Sequence, residues 1–174
     1  MELPWCTEHG VVAPSLIEVH AALRNTLAKA DCVTVGTSKL AELLEGAHPD
    51  IRLMETRLSP EIWQPLQNRQ RREGKPRIGW IGRQEQETEL DILSDVIKAL
   101  AERVNWVIMG PCSRWLRPFV HEIHAVADDN LYPGLLAELD LDLAVIPGLP
   151  GTFHTSRYPT ELLELGACGV PVIC

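Results

Sequence analysis

Two places in this 174-residue chain combine residue types suited to holding an anion. The first is Gly82-Arg83, directly after the apolar run Ile78-Gly79-Trp80-Ile81. A glycine lets backbone approach a ligand closely, and a guanidinium beside it can grip a phosphate through two hydrogen bonds. A plain turn carrying a surface arginine would read the same way. Gly79 and Gly82 do not complete a dinucleotide fingerprint. Gln84-Glu85-Gln86-Glu87 stands where the third glycine belongs, so NAD is not expected. The second place is the glycine-bounded stretch 148–158, which runs into Pro159. Proline suits the first position of a helix, and the free N–H groups of a helix N-terminus suit a phosphate. Glu161 and Glu164 fall in the opening turns of that helix. Complementing the helix dipole accounts for Glu161 and less well for Glu164, about one turn deeper. His154, in the same loop, is a candidate ligand contact.

Other pairs read as structural. Asp140-x-Asp142 brackets the entry to the apolar strand expected over Leu141–Ile146. His121-x-x-His124 has no evident third metal ligand, and on a strand its two side chains face opposite ways. The five cysteines are an odd number without a Cys-x-x-Cys pair, which fits buried thiols in a reducing cytoplasm. Trp80 and Trp106 fall in expected core strands, whereas Trp5, Trp63 and Trp115 are candidates for a partner surface.

The elements that must position these groups follow from periodicity. Leu16, Val19, Leu23 and Leu27 share one helical face. Cys32–Val35 is a short strand, Ser38 a candidate N-cap for a helix bearing Leu40, Leu43 and Leu44, and Ile51–Met54 a second strand. Residues 67–75 carry no large apolar side chain and end in Gly/Pro context, reading as a linker over 65–76. Beyond it strands and helices alternate: strand 77–81, helix 88–102, strand 104–109, strand 120–123, helix 133–137, strand 141–146, helix 159–167 and a last strand opening at Val170. The strands are near-continuous apolar runs, as in strands buried on both faces of a parallel sheet. The expected fold is therefore α/β, a doubly wound, mostly parallel, Rossmann-like sheet over 77–174, preceded by a small N-terminal αβ segment over 1–64. In such sheets ligands settle at the carboxyl ends of the strands, which is where Gly82-Arg83 and the 148–158 loop fall.

Composition limits the partners. With 45% hydrophobic and 23% charged residues the chain is an ordinary globular one, and a net charge of −8 argues against nucleic acid. The acidity is uneven: residues 1–76 carry a net −1 and residues 77–174 a net −7. Any anion bound by the second segment must be held by local donors against the overall field. No apolar run approaches the roughly 20 residues of a bilayer crossing, and the N-terminus lacks the pattern of a signal peptide, so a cytoplasmic, not membrane-spanning protein is expected.

The run Arg157-Tyr158-Pro159-Thr160-Glu161-Leu162-Leu163-Glu164-Leu165-Gly166-Ala167-Cys168-Gly169-Val170-Pro171-Val172-Ile173 resembles the C-terminal signature of group 1 glycosyltransferases of the GT-B fold. Gly79-Trp80-Ile81-Gly82 is similar to that family's first C-domain strand and glycine turn, and 138–147 to its "Leu-Asp-Ile-Ala-Ile-x-Pro" strand. Residues 30–37 with Leu40-Ala41 resemble the last segment of its N-terminal domain. The resemblance implies that Glu164 hydrogen-bonds the ribose hydroxyls of a donor nucleotide and that Gly82 and Arg83 meet its diphosphate. It also implies that the amides of Tyr158, Pro159 and Thr160 approach the phosphates and that Val126 lies near the base. The sequence departs from the family pattern in three places. Ser156 stands at the position of a second glutamate, Thr88 and Glu89 at that of a lysine following the arginine, and Glu161 at that of another lysine. Arg157 is a candidate to replace one lost cation.

The resemblance thus implies a retaining, metal-independent glycosyltransferase with no cofactor other than its nucleotide-diphosphate sugar donor. The acceptor, whether glycan, lipid or protein, is open. A GT-B enzyme has two sheet domains, so a chain of this length is expected to be a fragment, with the remainder of the enzyme as its partner. A nucleotide-sugar epimerase of the same architecture and a non-catalytic interaction module are the alternatives.

Overall fold

The computed structural model describes residues 14–66, 74–83, 87–126, 130–148, 151, 155–156 and 160–174. They fall into two compact units, one drawn from Met1–Arg57 and Leu149–Tyr158, the other from Leu58–Gly148 and Pro159–Cys174.

In the first unit, helix α1 (Pro14–Leu27) is followed by strand β1 (Val33–Val35), helix α2 (Ser38–Leu43) and strand β2 (Ile51–Leu53), with β1 and β2 paired in parallel. Its core is small: Val35 and Leu44 are buried, with Val33, Leu40 and Ile51 against them. The N-cap of α2 is Thr37 and not Ser38. Thr37 has the extended backbone a cap requires, and its Oγ1 accepts from the Leu40 N–H at 3.1 Å, leaving Ser38 as the first helical residue. The same hydroxyl donates to the Ser156 carbonyl at 2.8 Å. The imidazole of His48 fastens together the segments leading into β1 and β2, its Nδ1 accepting from the Asp50 N–H at 3.0 Å and its Nε2 meeting the Ala30 carbonyl at 2.9 Å. On α1 only part of the expected apolar stripe is covered. Leu27 is buried, whereas Val19 is 58% exposed and Leu23 lies at the margin of exposure.

The second unit opens with helix α3 (Pro60–Trp63) and a 3-10 turn over Gln64–Leu66. Its sheet contains β3 (Arg77–Ile81), β4 (Asn105–Met109), β5 (Glu122–His124), β6 (Leu143–Val145) and β7 (Val172–Ile173), in the spatial order β5-β4-β3-β6-β7, every pairing parallel. Helices α4 (Glu87–Ile92) and α5 (Ser94–Leu100) join β3 to β4, α6 (Tyr132–Glu138) joins β5 to β6, and α7 (Thr160–Ala167) joins β6 to β7. This is the doubly wound, Rossmann-like α/β sheet expected from the apolar strand runs. Alternation along each strand sends residues to two separate cores. Ile78, Trp80, Trp106 and Ile108 pack against Leu90, Ile97 and Leu116 on one face. Val107, Met109 and Ala144 pack against Leu136, Leu139, Leu165 and Cys168 on the other.

Three expectations change. The helix foreseen over 88–102 is two helices broken at Leu93, where the backbone closes a tighter turn from the Leu93 N–H to the Leu90 carbonyl at 3.0 Å. Leu90, Leu93, Ile97 and Leu100 stay on one face through the break, so periodicity could not show it. Trp63 is 7% exposed and belongs to the second core, so it marks no partner surface, and Leu58 and Leu66 pack beside it. Contacts accordingly divide the chain after Arg57, ahead of the boundary at 64 drawn from composition. The histidines at 121 and 124 have separate partners. His121 Nδ1 accepts from the Trp106 N–H at 3.3 Å, and His124 Nε2 lies 3.2 Å from Glu122.

At the amino ends of the strands, Arg77 ties three elements together. Its guanidinium forms a fork on Glu122, at 2.5 and 3.0 Å, reaching past β4, and donates to the Leu139 carbonyl at the C-cap of α6. Its backbone N–H donates to Asp142 Oδ2 at 2.9 Å, which makes Asp142 a strand-entry anchor. Asp140, two residues earlier, takes a left-handed φ of 49°, which aspartate tolerates better than most residues. Glu122 has its carboxyl lowered to about 2, chiefly by the hydrogen bonds from Arg77. Because the folded value lies below the ordinary one, this stabilisation is fully present above about pH 4.5 and is lost as the pH falls towards 2. Glu122→Gln should therefore lower unfolding free energy at pH 7 by roughly 1–2 kcal/mol, discounted because Glu122 is 39% exposed and solvent screens the pair. Urea melts should show the gap to wild type closing as the pH drops through that window.

Candidate functional site

The spatial order β5-β4-β3-β6-β7 reverses direction between β3 and β6, which is the switch point where crossovers leave opposite faces of the sheet. In sheets of this kind ligands settle at the carboxyl ends of the strands beside such a point. Gly82 and Arg83 form the exit of β3, and the first turns of α6 and α7 lie at the same end of the sheet.

The exit of β3 is built without side chains. A Cβ on Gly82 would stand 2.2 Å from the outer ring of Trp80, which is fully buried. A Cβ on Gly110, at the exit of β4, would stand 2.1 Å from the Gly82 carbonyl oxygen, and Gly110 has a φ of 131°. The Gly82 N–H donates to the Met109 carbonyl at 3.0 Å, so the two strand exits stay hydrogen-bonded one residue past the sheet. Gly82 is therefore required by Trp80 before any ligand is considered, and its packing fixes where Arg83 begins.

Glu164 lies in the second turn of α7, half-buried. One of its oxygens, Oε2, accepts a hydrogen bond from the Tyr132 hydroxyl at 2.9 Å. Burial pushes the Glu164 carboxyl above the ordinary range and Glu161 adds to the rise, while the Tyr132 hydrogen bond and the charge of Arg83 pull the other way. Burial, with Glu164 beside it, also pushes the Tyr132 phenol well up, so it remains a neutral donor.

Of the residues singled out from the sequence, Gly82, Arg83, Thr160 and Glu164 lie at the carboxyl end of the central strands, Thr160 as the first residue of α7. Val126 follows β5, separated from β3 by β4, and is 50% exposed. His154, Arg157, Tyr158 and Pro159 lie outside the described residues. Ser156, at the position of the family's second glutamate, is buried in the first unit. Glu89, at the position of a family lysine, is also buried. Trp115 is 46% exposed and carries the Lys98 ammonium 4.8 Å above its ring. Among the described residues no group of three His, Cys, Asp or Glu side chains is placed to hold a metal. The residue that sequence reasoning missed is Tyr132. Its signal was a hydroxyl-bearing aromatic one position ahead of the helix expected at 133, at the ligand end of the sheet.

No protein-family model matches the chain, and no curated protein does. Solved structures do. The structure of Staphylococcus aureus TarM (a G117R mutant) in complex with fondaparinux, α-GlcNAc-glycerol and UDP is similar over 95% of this chain, with a TM-score of 0.55 and 14% identity. A second TarM structure is similar over 97%, with a TM-score of 0.57 and 14% identity. The chain spans about a third of each of those structures, 33% and 34%. At that identity the likeness establishes a glycosyltransferase-like α/β fold.

Gly82→Ala should lower stability by roughly 2–3 kcal/mol, the usual cost of forcing an atom into a packed core. Trp80→Phe removes the outer ring that the added Cβ would strike. In thermal or urea melts the double variant should therefore cost less than the sum of the two single ones.

Proposed function

We propose that this chain carries the donor-binding part of a glycosyltransferase, holding a nucleotide-diphosphate sugar at the carboxyl ends of β3 and β6. The observation that carries the reading is topological: the β3 exit bearing Gly82 and Arg83 and the first turns of α7 bearing Thr160 and Glu164 share the carboxyl end of the sheet beside its switch point. In this reading the Gly82 turn and Arg83 meet the diphosphate, and Thr160 opens the helix whose first N–H groups face the phosphates. Glu164 accepts hydrogen bonds from the two adjacent hydroxyls of the ribose. The likeness to a structure that holds UDP and α-GlcNAc-glycerol supports this class of ligand.

The chemistry asked of these residues is electrostatic. As the glycosidic bond to the diphosphate breaks, negative charge grows on the departing phosphate oxygens. A fixed guanidinium and aligned backbone N–H groups stabilise that charge without reorganising. Arg83 fills the place of a cation in this scheme, and Arg157 supplies a second. Transfer with retention, without a metal, to a glycan, lipid or protein acceptor belongs to the same proposal, with the remainder of the enzyme completing the acceptor side. Glu161 supports a second reading, a non-catalytic interaction module, because its charge opposes an anion at the start of α7.

Isothermal titration of UDP, ADP and GDP into wild type, Arg83→Ala and Glu164→Ala tests the proposal. Wild type should bind one of the three, and each variant should lose roughly tenfold or more, the value of one charge-assisted hydrogen bond. No binding by wild type, or equal binding by Glu164→Ala, supports the interaction module instead. Because the Glu164 carboxyl is raised, nucleotide affinity should fall on acidification with a midpoint above that of an ordinary glutamate.

A further inference from the structure

The Glu164 carboxylate is half-buried, and Tyr132 donates a neutral O–H to its Oε2 at 2.9 Å. A carboxylate free to rotate presents no fixed acceptor to a diol, and a hydrogen bond from a fixed side chain limits that rotation. Tyr132 is such a side chain. Its ring packs against the core formed by Leu136, Leu165 and Cys168, so the phenol has little freedom and its hydroxyl has a fixed position at the start of α6.

We infer that Tyr132 is a positioning residue of the donor site: its hydroxyl holds Oε2 of Glu164 and so sets the direction in which the carboxylate meets the ribose diol. The inference rests on the donor-binding reading and adds a residue to it. The groups acting on the Glu164–Tyr132 pair are Glu161 on α7 itself, Arg83 from the exit of β3, and Cys168 beside the phenol. Glu161 turns the carboxylate's surroundings negative, which makes a fixed neutral donor more valuable there.

The test is Tyr132→Phe, which keeps the ring that packs on the core and removes only the hydroxyl. UDP, ADP and GDP, and their 2′,3′-dideoxy counterparts, are titrated calorimetrically into wild type, Tyr132→Phe, Glu164→Ala and the double variant, with thermal melts confirming that each is folded. Tyr132→Phe should weaken the ribose nucleotide roughly 5- to 20-fold and leave the dideoxy nucleotide within about twofold. In the Glu164→Ala background it should have no further effect. The loss of binding on acidification should also move to higher pH, because the phenol O–H favours the ionised carboxylate. Equal weakening of ribose and dideoxy nucleotides would mean a merely structural role and would overturn the inference. So would an unchanged Tyr132→Phe beside a weakened Glu164→Ala, an outcome that leaves the donor-binding reading standing. Wild type binding none of the six nucleotides overturns that reading and the inference together.

Discussion

The exit of β3 has no room for a side chain, and the geometry of the candidate site follows from that. The outer ring of Trp80 occupies the space a Cβ on Gly82 would need, and the Gly82 carbonyl occupies the space a Cβ on Gly110 would need. Two strand exits are thereby pressed together at backbone distance beside the switch point of the sheet. Arg83 is the first residue beyond this knot, so its backbone starts from a position set by a buried indole and not by a mobile loop. A glycine that looks like a ligand-binding turn is in the first place a packing requirement.

The second fixed point is made by the core on the opposite face. Tyr132 and Glu164 come from two successive crossover helices, α6 and α7, that bury Leu136 and Leu165 against the same face of the sheet. Helices feeding parallel strands begin at the carboxyl ends of the strands before them, so their first turns share one end of the sheet. That is why a residue 32 positions away in sequence can reach the Glu164 carboxylate. At the other end of the strands Arg77 joins β3, β5 and the end of α6, which holds the frame on which the site is built.

The fold class was legible because parallel strands buried on both faces carry continuous apolar runs, as in 77–81 and 104–109. The break at Leu93 was not, because a tightened turn kept Leu90 and Ile97 on the same face. Trp63 was misplaced for a related reason. An isolated aromatic in a polar stretch has the composition of a surface residue, and only the packing of α3 on Leu136 and its neighbours shows it to be core. In the candidate site, Glu164 stands out in the sequence by its depth within α7, one turn past where a helix-dipole role explains a carboxylate.

What the sequence by itself determined is the set of local preferences: which runs form strands, where α7 begins, and that Arg83 and Glu164 follow elements ending on the ligand side of a parallel sheet. Those are one-dimensional facts, carried by periodicity and by the chemistry of single residues. The tertiary structure alone decided that a neutral phenol satisfies Glu164, that Trp80 dictates Gly82, and that Arg77 and Glu122 pair past an intervening strand. Each of these joins residues distant in sequence or facing the same way off a strand. No local rule records which partner a buried polar group finds, because that depends on which surfaces the sheet order brings together.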